Sequence, residues 1–164
     1  MFDPIRPPAA RRPDEALELV SQALSDGDLE AALAQYEKGA LLACWPGAGQ
    51  AGQAGQAGEA GQVLAAVMAL RLPLYLRISS VLEGPELALV ICERRVSGTG
   101  PDGEQVWFRG HGCAVLRPQP DGAWRIAADA WRVETELPPD PPEIPPGIAG
   151  DPVSGEGQGG QPHH

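Results

Sequence analysis

Two residues in the second half of the chain are of types that can move a proton. His111 lies in the run FRGHGCAV, where glycines on both sides leave room around an imidazole that titrates near neutral pH. Asp129 ends the apolar run AWRIAAD, where an enclosed carboxylate would need an arginine partner or a raised pKa. The turn QPDG joins the two predicted strands, so we predict His111 and Asp129 as a catalytic pair.

Each of these residues also has a simpler alternative role. His111 can form a local hydrogen bond on its strand or lie at a dimer contact. Alternation along the strand places Asp129 on the opposite face from Ile126 unless a β-bulge intervenes. On that outer face Asp129 would form a salt bridge with Arg109 or Arg132.

Four further residues are candidates for binding a substrate. Arg94 shares a predicted inner face with apolar residues of its strand, and a guanidinium there can bind a carboxylate or an enolate, although solvent or an acidic neighbour can equally satisfy it. Trp45 and Trp131 offer flat apolar walls for a ring compound, with a core role as the alternative. Cys113 lies two residues from His111 on the same strand face, and the apolar pattern favours that face as the inner one.

Composition and motifs exclude several classes of function. The chain has 22 acidic and 12 basic residues, a net charge of −10, so we expect neither nucleic acid nor an anionic membrane surface as a partner. No CxxC or HExxH pattern occurs, and GAGQAG is not the strand-turn-helix element of a βαβ unit that a dinucleotide fingerprint requires. We therefore expect no metal and no cofactor. Three cysteines without paired spacing, and a start without an apolar signal region, predict a cytoplasmic protein.

Apolar spacing predicts helices first and strands later. The segment PDEALELVSQALSD is predicted as a helix that ends at Gly27, and Asp28 is predicted to cap a second helix, LEAALAQYEKG. A short strand, ALLACWPG, and a third helix, QVLAAVMALRL, follow. Four strands come next: LYLRISSVLE, ELALVICERRVSG, EQVWFRGHGCAVLRP and AWRIAADAWRVE. This order predicts an α+β domain with helices on one face of an antiparallel sheet.

Proline and glycine divide the chain into segments. Residues 1–13 are predicted as a disordered arm, 14–136 as one domain, and 137–164 as a disordered tail rich in proline and glycine. Within the domain, the strict three-residue repeat of 49–62 is predicted as a flexible insert. The tail has polyproline II character near its start, and a ligand for an aromatic groove is the alternative to a solvated tail.

Several segments in this order resemble the SnoaL-like part of the nuclear-transport-factor-2-like (NTF2-like) superfamily, which includes ketosteroid isomerase relatives. They are the helix junction Gly27-Asp28-Leu29 leading to Tyr36, the strand ELALV, the hairpin SGTGPDGE, and VLRPQPDGAWRIAAD. The resemblance covers about 14–134 and implies a cone, in which a curved antiparallel sheet wraps on three helices and a pocket lies at the open end. Many relatives form homodimers through the outer face of the sheet.

The ketosteroid isomerase mechanism is not expected here. In that pattern a tyrosine on the first helix and a protonated acid form the oxyanion hole, and a carboxylate base precedes a proline. This chain has no tyrosine in its first helix, Trp45 rather than an aspartate before Pro46, and no acid around Cys113. The resemblance therefore implies a small-molecule-binding protein, acting as an isomerase, cyclase or dehydratase on an apolar ring compound. The alternative is a non-catalytic binding or dimerisation module.

A homodimer is the expected assembly. Apolar residues occur on both faces of the predicted sheet, and three helices cover only one face. The residues predicted to lie on the outer face are Leu87, Leu89, Ile91, Phe108, Ala114 and Leu116. A self-complementary twofold contact is the commonest cover for such a face.

Overall fold

A computed structural model describes residues 6–43, 45 and 57–134. The expectations for residues 49–56 of the repeat and for the tail, 137–164, lie outside these residues. Residues 57–62 of the repeat form a short strand and the first turn of a helix. Residues 6–12 of the arm lie against the domain, because the carbonyl of Ala10 accepts a hydrogen bond from the Trp124 N–H and the carbonyl of Pro8 accepts one from the amide of Gln35.

The described residues form three helices in the predicted order. Helix α1 spans Pro13–Asp26, and Gly27 ends it with a φ of 74°, which glycine adopts without steric cost. Helix α2 spans Leu29–Leu33, and the Asp28 carboxylate accepts a hydrogen bond from the Ala31 N–H at 3.0 Å. Helix α3 spans Ala60–Met68. No helix of the described ranges is long and apolar enough to cross a membrane.

The second predicted helix is too long. Helix α2 stops after five residues, and Tyr36, predicted on its inner face, instead begins a strand. The reason is a period of two: Ala40 and Leu42 are buried, whereas Leu41 between them is exposed. Gly39, with a φ of 80°, lies where the strand register shifts.

Within the described residues, six strands form one sheet in the order β2-β1-β6-β5-β4-β3. Their bounds are Tyr36–Ala43 (β1), Ala57–Glu59 (β2), Leu74–Glu83 (β3), Ala88–Thr99 (β4), Gln105–Pro118 (β5) and Trp124–Val133 (β6). The α+β class with three helices is confirmed, but the sheet is not wholly antiparallel. Strand β1 runs parallel to β6, so the sheet is mixed.

The helices pack on one face of the sheet, here called the inner face, and the opposite face is the outer face. The prediction of which β5 side chains face inward and which face outward is wrong. Ala114 and Leu116 are fully buried on the inner face, whereas Cys113 lies on the outer face and is exposed. The register explains this, since Ala114 lies opposite Val90, a buried core residue of β4.

A β-bulge in β6 decides where Asp129 points. Val115 of β5 pairs with Ala128 and Leu116 pairs with Ile126, so Ala127 is an extra residue in β6. The extra residue reverses the alternation. Ile126 and Asp129 therefore both face inward, and the predicted outer-face salt bridge to Arg109 or Arg132 is not formed.

Candidate functional site

Three polar side chains from three strands meet on the inner face. Arg94 of β4 donates two hydrogen bonds to the carboxylate of Asp129 of β6, from Nη1 to Oδ1 at 2.9 Å and from Nη2 to Oδ2 at 3.0 Å. The hydroxyl of Tyr36 of β1 donates to Oδ2 of the same carboxylate at 2.9 Å. All three residues are buried, with side-chain exposures of 2 % for Arg94 and 0 % for Asp129. The charges are therefore paired as a buried ion pair requires.

Two glycines of β5 leave space on the inner face, and one of them, Gly112, leaves it for this ion pair. A Cβ atom at Gly112 would lie 2.6 Å from Nη1 of Arg94 and 2.9 Å from Sγ of Cys92. A Cβ atom at Gly110 would collide with the carbonyl oxygen of Arg132 on β6. The space that these glycines leave is thus on the inner face and is used by Arg94 and the neighbouring strand, not by His111 as the sequence suggested.

Two tryptophans complete the cluster. The rings of Trp45 and Trp131 meet edge to face, with centroids 5.4 Å apart and planes at 87°. The guanidinium carbon of Arg94 lies 4.7 Å from the ring centroid of Trp45, a cation–π distance. Both indole N–H groups are buried and have no hydrogen-bond partner among the described residues. We call Tyr36, Trp45, Arg94, Asp129 and Trp131 the inner cluster.

The surroundings of the inner cluster shift the pKa values of Tyr36 and Arg94. Burial, and then the nearby Asp129 carboxylate, raise the pKa of Tyr36 well above its ordinary value, so its phenol stays a hydrogen-bond donor. Burial lowers the pKa of Arg94, but Asp129, Cys92 and Tyr36 together raise it by more. Burial also raises the pKa of the Cys92 thiol beside them. The cluster therefore offers hydrogen-bond donors and ring surfaces.

The structure brings together four of the six residues predicted for the site: Trp45, Arg94, Asp129 and Trp131. It separates the other two from them. The His111 side chain is 68 % exposed on the outer face, where its Nδ1 lies 3.2 Å from a Glu134 carboxylate oxygen. The predicted His111–Asp129 catalytic pair is therefore wrong in its geometry, because the two side chains lie on opposite faces of the sheet.

Cys113 shares the outer face with His111, and its predicted place beside a substrate is not found. Conversely, sequence reasoning missed Tyr36 as a member of the site, because the residue was placed on a helix. The signal that could have found it is the alternation of buried Ala40 and Leu42 after it, which is typical of a strand.

Comparison with solved structures identifies the fold. A ketosteroid isomerase-like protein from Erwinia carotovora atroseptica superposes with a TM-score of 0.59 at 16 % sequence identity, covering 76 % of this chain and 95 % of that one. An NTF2-like protein with a cystatin-like fold from Novosphingobium aromaticivorans gives 0.57 at 17 % identity, covering 75 % and 80 %. An NTF2-like protein of unknown function from Shewanella oneidensis gives 0.53 at 16 % identity, covering 72 % and 93 %.

This chain has the NTF2-like fold. The expected resemblance is confirmed at the level of the fold, since identities this low carry no activity from one protein to another. Neither a protein-family model nor the sequence of a curated protein matches the chain. Any function must therefore be argued from the chain's own residues.

Proposed function

We propose that this NTF2-like protein binds a small apolar ring compound that carries a hydrogen-bond acceptor, at the inner cluster. The observation that carries the proposal is the pair of buried indole N–H groups, on Trp45 and Trp131, without a partner among the described residues. A buried donor left unsatisfied costs about 1–3 kcal/mol. An acceptor atom of a ligand, such as a carbonyl oxygen, would recover that free energy.

The position of Trp45 indicates how a ring would enter. The other four members of the inner cluster lie on strands, whereas Trp45 lies beyond the end of β1. Its ring is therefore the one not held by strand pairing, and it covers the guanidinium of Arg94. A ligand ring enters beside the indole of Trp45 and packs against it, with its acceptor atom within reach of the Trp45 and Trp131 N–H groups.

The hydrogen bonds that Asp129 accepts favour a binding role over a catalytic one. Isomerase, cyclase and dehydratase reactions on a ring need a group that accepts or supplies a proton. Both oxygens of the Asp129 carboxylate already accept hydrogen bonds from Arg94, and one accepts from Tyr36 as well. Among the described residues of the inner cluster, Asp129 thus acts as the group that holds Arg94 and Tyr36 in place.

A thermal-shift screen with fused-ring ketones and the matching hydrocarbons tests this proposal, because a ligand that binds the folded state raises Tm. We expect the ketones to raise Tm more than the hydrocarbons. Trp45→Phe keeps an aromatic ring but removes the N–H, so it should weaken ketone binding by about fivefold to tenfold, the value of one hydrogen bond. Trp107→Phe on the outer face is the matched control. Equal ketone affinities of the two variants would contradict the proposal.

A second candidate function, self-association, is favoured by a different observation. Strand register aligns apolar residues in a row across the outer face: Leu82, Leu89, Val115, Ala128 and Leu41. Leu82 and Leu41 at its ends are 60 % and 55 % exposed, and Ile91 extends the row on its neighbouring side. A continuous apolar row of this kind is unusual on a monomer, and we propose that a twofold homodimer covers it.

Size exclusion with light scattering tests the homodimer. The expected mass is twice 17.2 kDa for the natural chain. Ile91→Asp should reduce it to the monomer mass, because a buried unpaired carboxylate at the contact is costly. Thr99→Asp, at the far end of β4, should leave the dimer intact. A monomer at tens of micromolar for the natural chain would contradict the proposal.

A further inference from the structure

An aromatic–arginine patch lies on the outer face, away from the apolar row. It consists of Tyr75 on β3, Arg95 on β4 and Trp107 on β5. The guanidinium carbon of Arg95 lies 4.8 Å from the ring centroid of Tyr75 and 6.0 Å from that of Trp107. Tyr75 is 50 % exposed and Trp107 is 39 % exposed. Two aromatic rings are thus presented to solvent on either side of one cation.

The surroundings of the patch are positively charged in a chain whose net charge is −10. Arg77 and Arg109 share a single carboxylate, that of Glu93, at 3.1 and 2.9 Å. Arg132 lies on the same face opposite His111 and forms no ion pair with a described residue. The Glu134 carboxylate lies against His111 on the same face. Among the described residues named here, four arginines therefore face two carboxylates around the rings, and a ligand of negative charge would be attracted.

The end of the described chain lies beside this patch. Beyond β6, the N–H of Glu134 donates a hydrogen bond to the carbonyl of Arg109 at 2.8 Å. Arg109 is two residues from Trp107 along β5 and directly opposite Arg95 on β4. The chain after Glu134 consequently starts at the edge of the aromatic–arginine patch.

The sequence that follows has the composition that such a patch would bind. Residues 137–146 read LPPDPPEIPP and contain no basic residue. A polyproline II helix has three residues per turn, which places Pro138 and Pro141 on one edge, Pro139 and Pro142 on the next, and both acids on the third. The segment would thus present two proline edges to the rings and one acidic edge to the arginines. Grooves lined by aromatic residues bind proline-rich segments in this conformation.

Residues 137–146 are long enough to cross the aromatic–arginine patch. Trp107 lies two residues from Arg109 along β5, a distance of about 7 Å. Strand β3 lies two strand spacings from β5, a distance of about 10 Å. Ten residues in polyproline II conformation span about 31 Å. Since the segment is tethered to the same sheet, its effective concentration at the patch is high, so even weak stacking suffices for occupancy.

We propose that residues 137–146 of this chain dock on its own aromatic–arginine patch, with prolines stacked on Tyr75 and Trp107 and with Asp140 and Glu143 facing the surrounding arginines. The inference is independent of the inner cluster, which lies on the opposite face of the sheet.

Acrylamide quenching of tryptophan fluorescence in the full chain tests the proposal. The other three tryptophans are buried, so quenching reports mainly on Trp107. A variant in which Pro138, Pro139, Pro141 and Pro142 are all replaced by serine should show about twofold faster quenching, since one ring face is uncovered. Asp140→Lys combined with Glu143→Lys should act in the same direction. The matched control, Pro152→Ser with Pro162→Ser, should quench like the natural chain.

Three results would overturn the proposal. The first is equal quenching in the natural chain and the four-serine variant. The second is a tail-dependent change that persists when Trp107→Phe is also introduced, because the protected ring would then be another one. The third is protection of Trp107 that rises with protein concentration and ignores the tail substitutions, which would show that a second copy of the chain covers the patch.

Discussion

Arg94 and Arg95 are neighbours in sequence, yet they lie in opposite environments. Arg94 points to the inner face, where its guanidinium is buried and forms two hydrogen bonds with Asp129. Arg95 points to the outer face, where its guanidinium lies between two exposed rings. Alternation along β4 alone separates them. The comparison teaches that the contribution of a charged side chain to stability depends on the face of the sheet on which it lies.

The energetic consequence differs between the two faces. A buried ion pair recovers a large desolvation cost only while both partners are present. An exposed cation over a ring contributes about 0.5–1 kcal/mol and remains hydrated when the ring is lost. Substitutions on the inner face should therefore affect folding, and those on the outer face should affect association or docking.

The largest expected difference in the free energy of unfolding is between variants that place a carboxylate on the inner face and on the outer face. Leu116 is fully buried on β5, so Leu116→Asp buries an unpaired charge and should leave the chain unfolded or reduce the free energy of unfolding by more than about 4 kcal/mol. Ile91→Asp on the outer face should leave that free energy within about 0.5 kcal/mol in the monomeric state. Circular dichroism in urea measures both. Similar losses for the two variants would contradict the assignment of the faces.

The next effect separates the adjacent arginines. Arg94→Met leaves Asp129 buried without its cation and should reduce the free energy of unfolding by about 3–5 kcal/mol. Arg95→Met, a change of the same chemistry one residue later, should cost no more than about 1 kcal/mol. Urea midpoints of both variants, measured at one pH, provide the test. A large loss in Arg95→Met would show that the aromatic–arginine patch also stabilises the fold.

Much of the fold could be predicted from local signals. Gly27 ends α1 and Asp28 caps α2 as their residue types predict, because both effects depend only on nearby backbone atoms. The long strands β3 to β6 follow from apolar runs and Asp-Gly turns. The parallel pairing of β1 with β6 could not be predicted, since the pairing of strands so distant in sequence leaves no local signal.

The candidate site was only partly predictable for a similar reason. One extra residue in β6, Ala127, reverses the alternation and turns Asp129 inward, and nothing in the local composition marks that bulge. The glycines around His111 predict free space beside the strand, but the strand pattern does not show on which face of the sheet that space lies. The face depends on the register of β5 with β4, where Gly112 lies opposite Cys92.

Gly112 provides the third prediction. In Gly112→Ala the new methyl group would meet Arg94 and Cys92 at distances that require one of them to shift, and Arg94 is held by Asp129. We expect a loss of about 1–3 kcal/mol in the free energy of unfolding, the usual cost of overpacking. Gly61→Ala in α3 is the control, because its methyl group would meet only Leu33 of α2, at an ordinary contact distance of 3.9 Å. Thermal melts should show a lower Tm for Gly112→Ala alone.

The smallest effect concerns alkaline pH and the phenol of Tyr36. Burial and the Asp129 carboxylate raise the pKa of Tyr36 in the folded state, whereas in the unfolded chain a tyrosine ionises near pH 10. Above about pH 10 the folded state therefore binds more protons than the unfolded state, and stability falls as pH rises, by up to about 1.4 kcal/mol per pH unit. Tyr36→Phe has no such proton and should lose stability less steeply between pH 10 and 11, measured as Tm. Tyr75→Phe on the outer face retains Tyr36 and should keep the steep loss. Parallel Tm curves for the natural chain and Tyr36→Phe would mean that the Tyr36 hydroxyl is not enclosed beside Asp129.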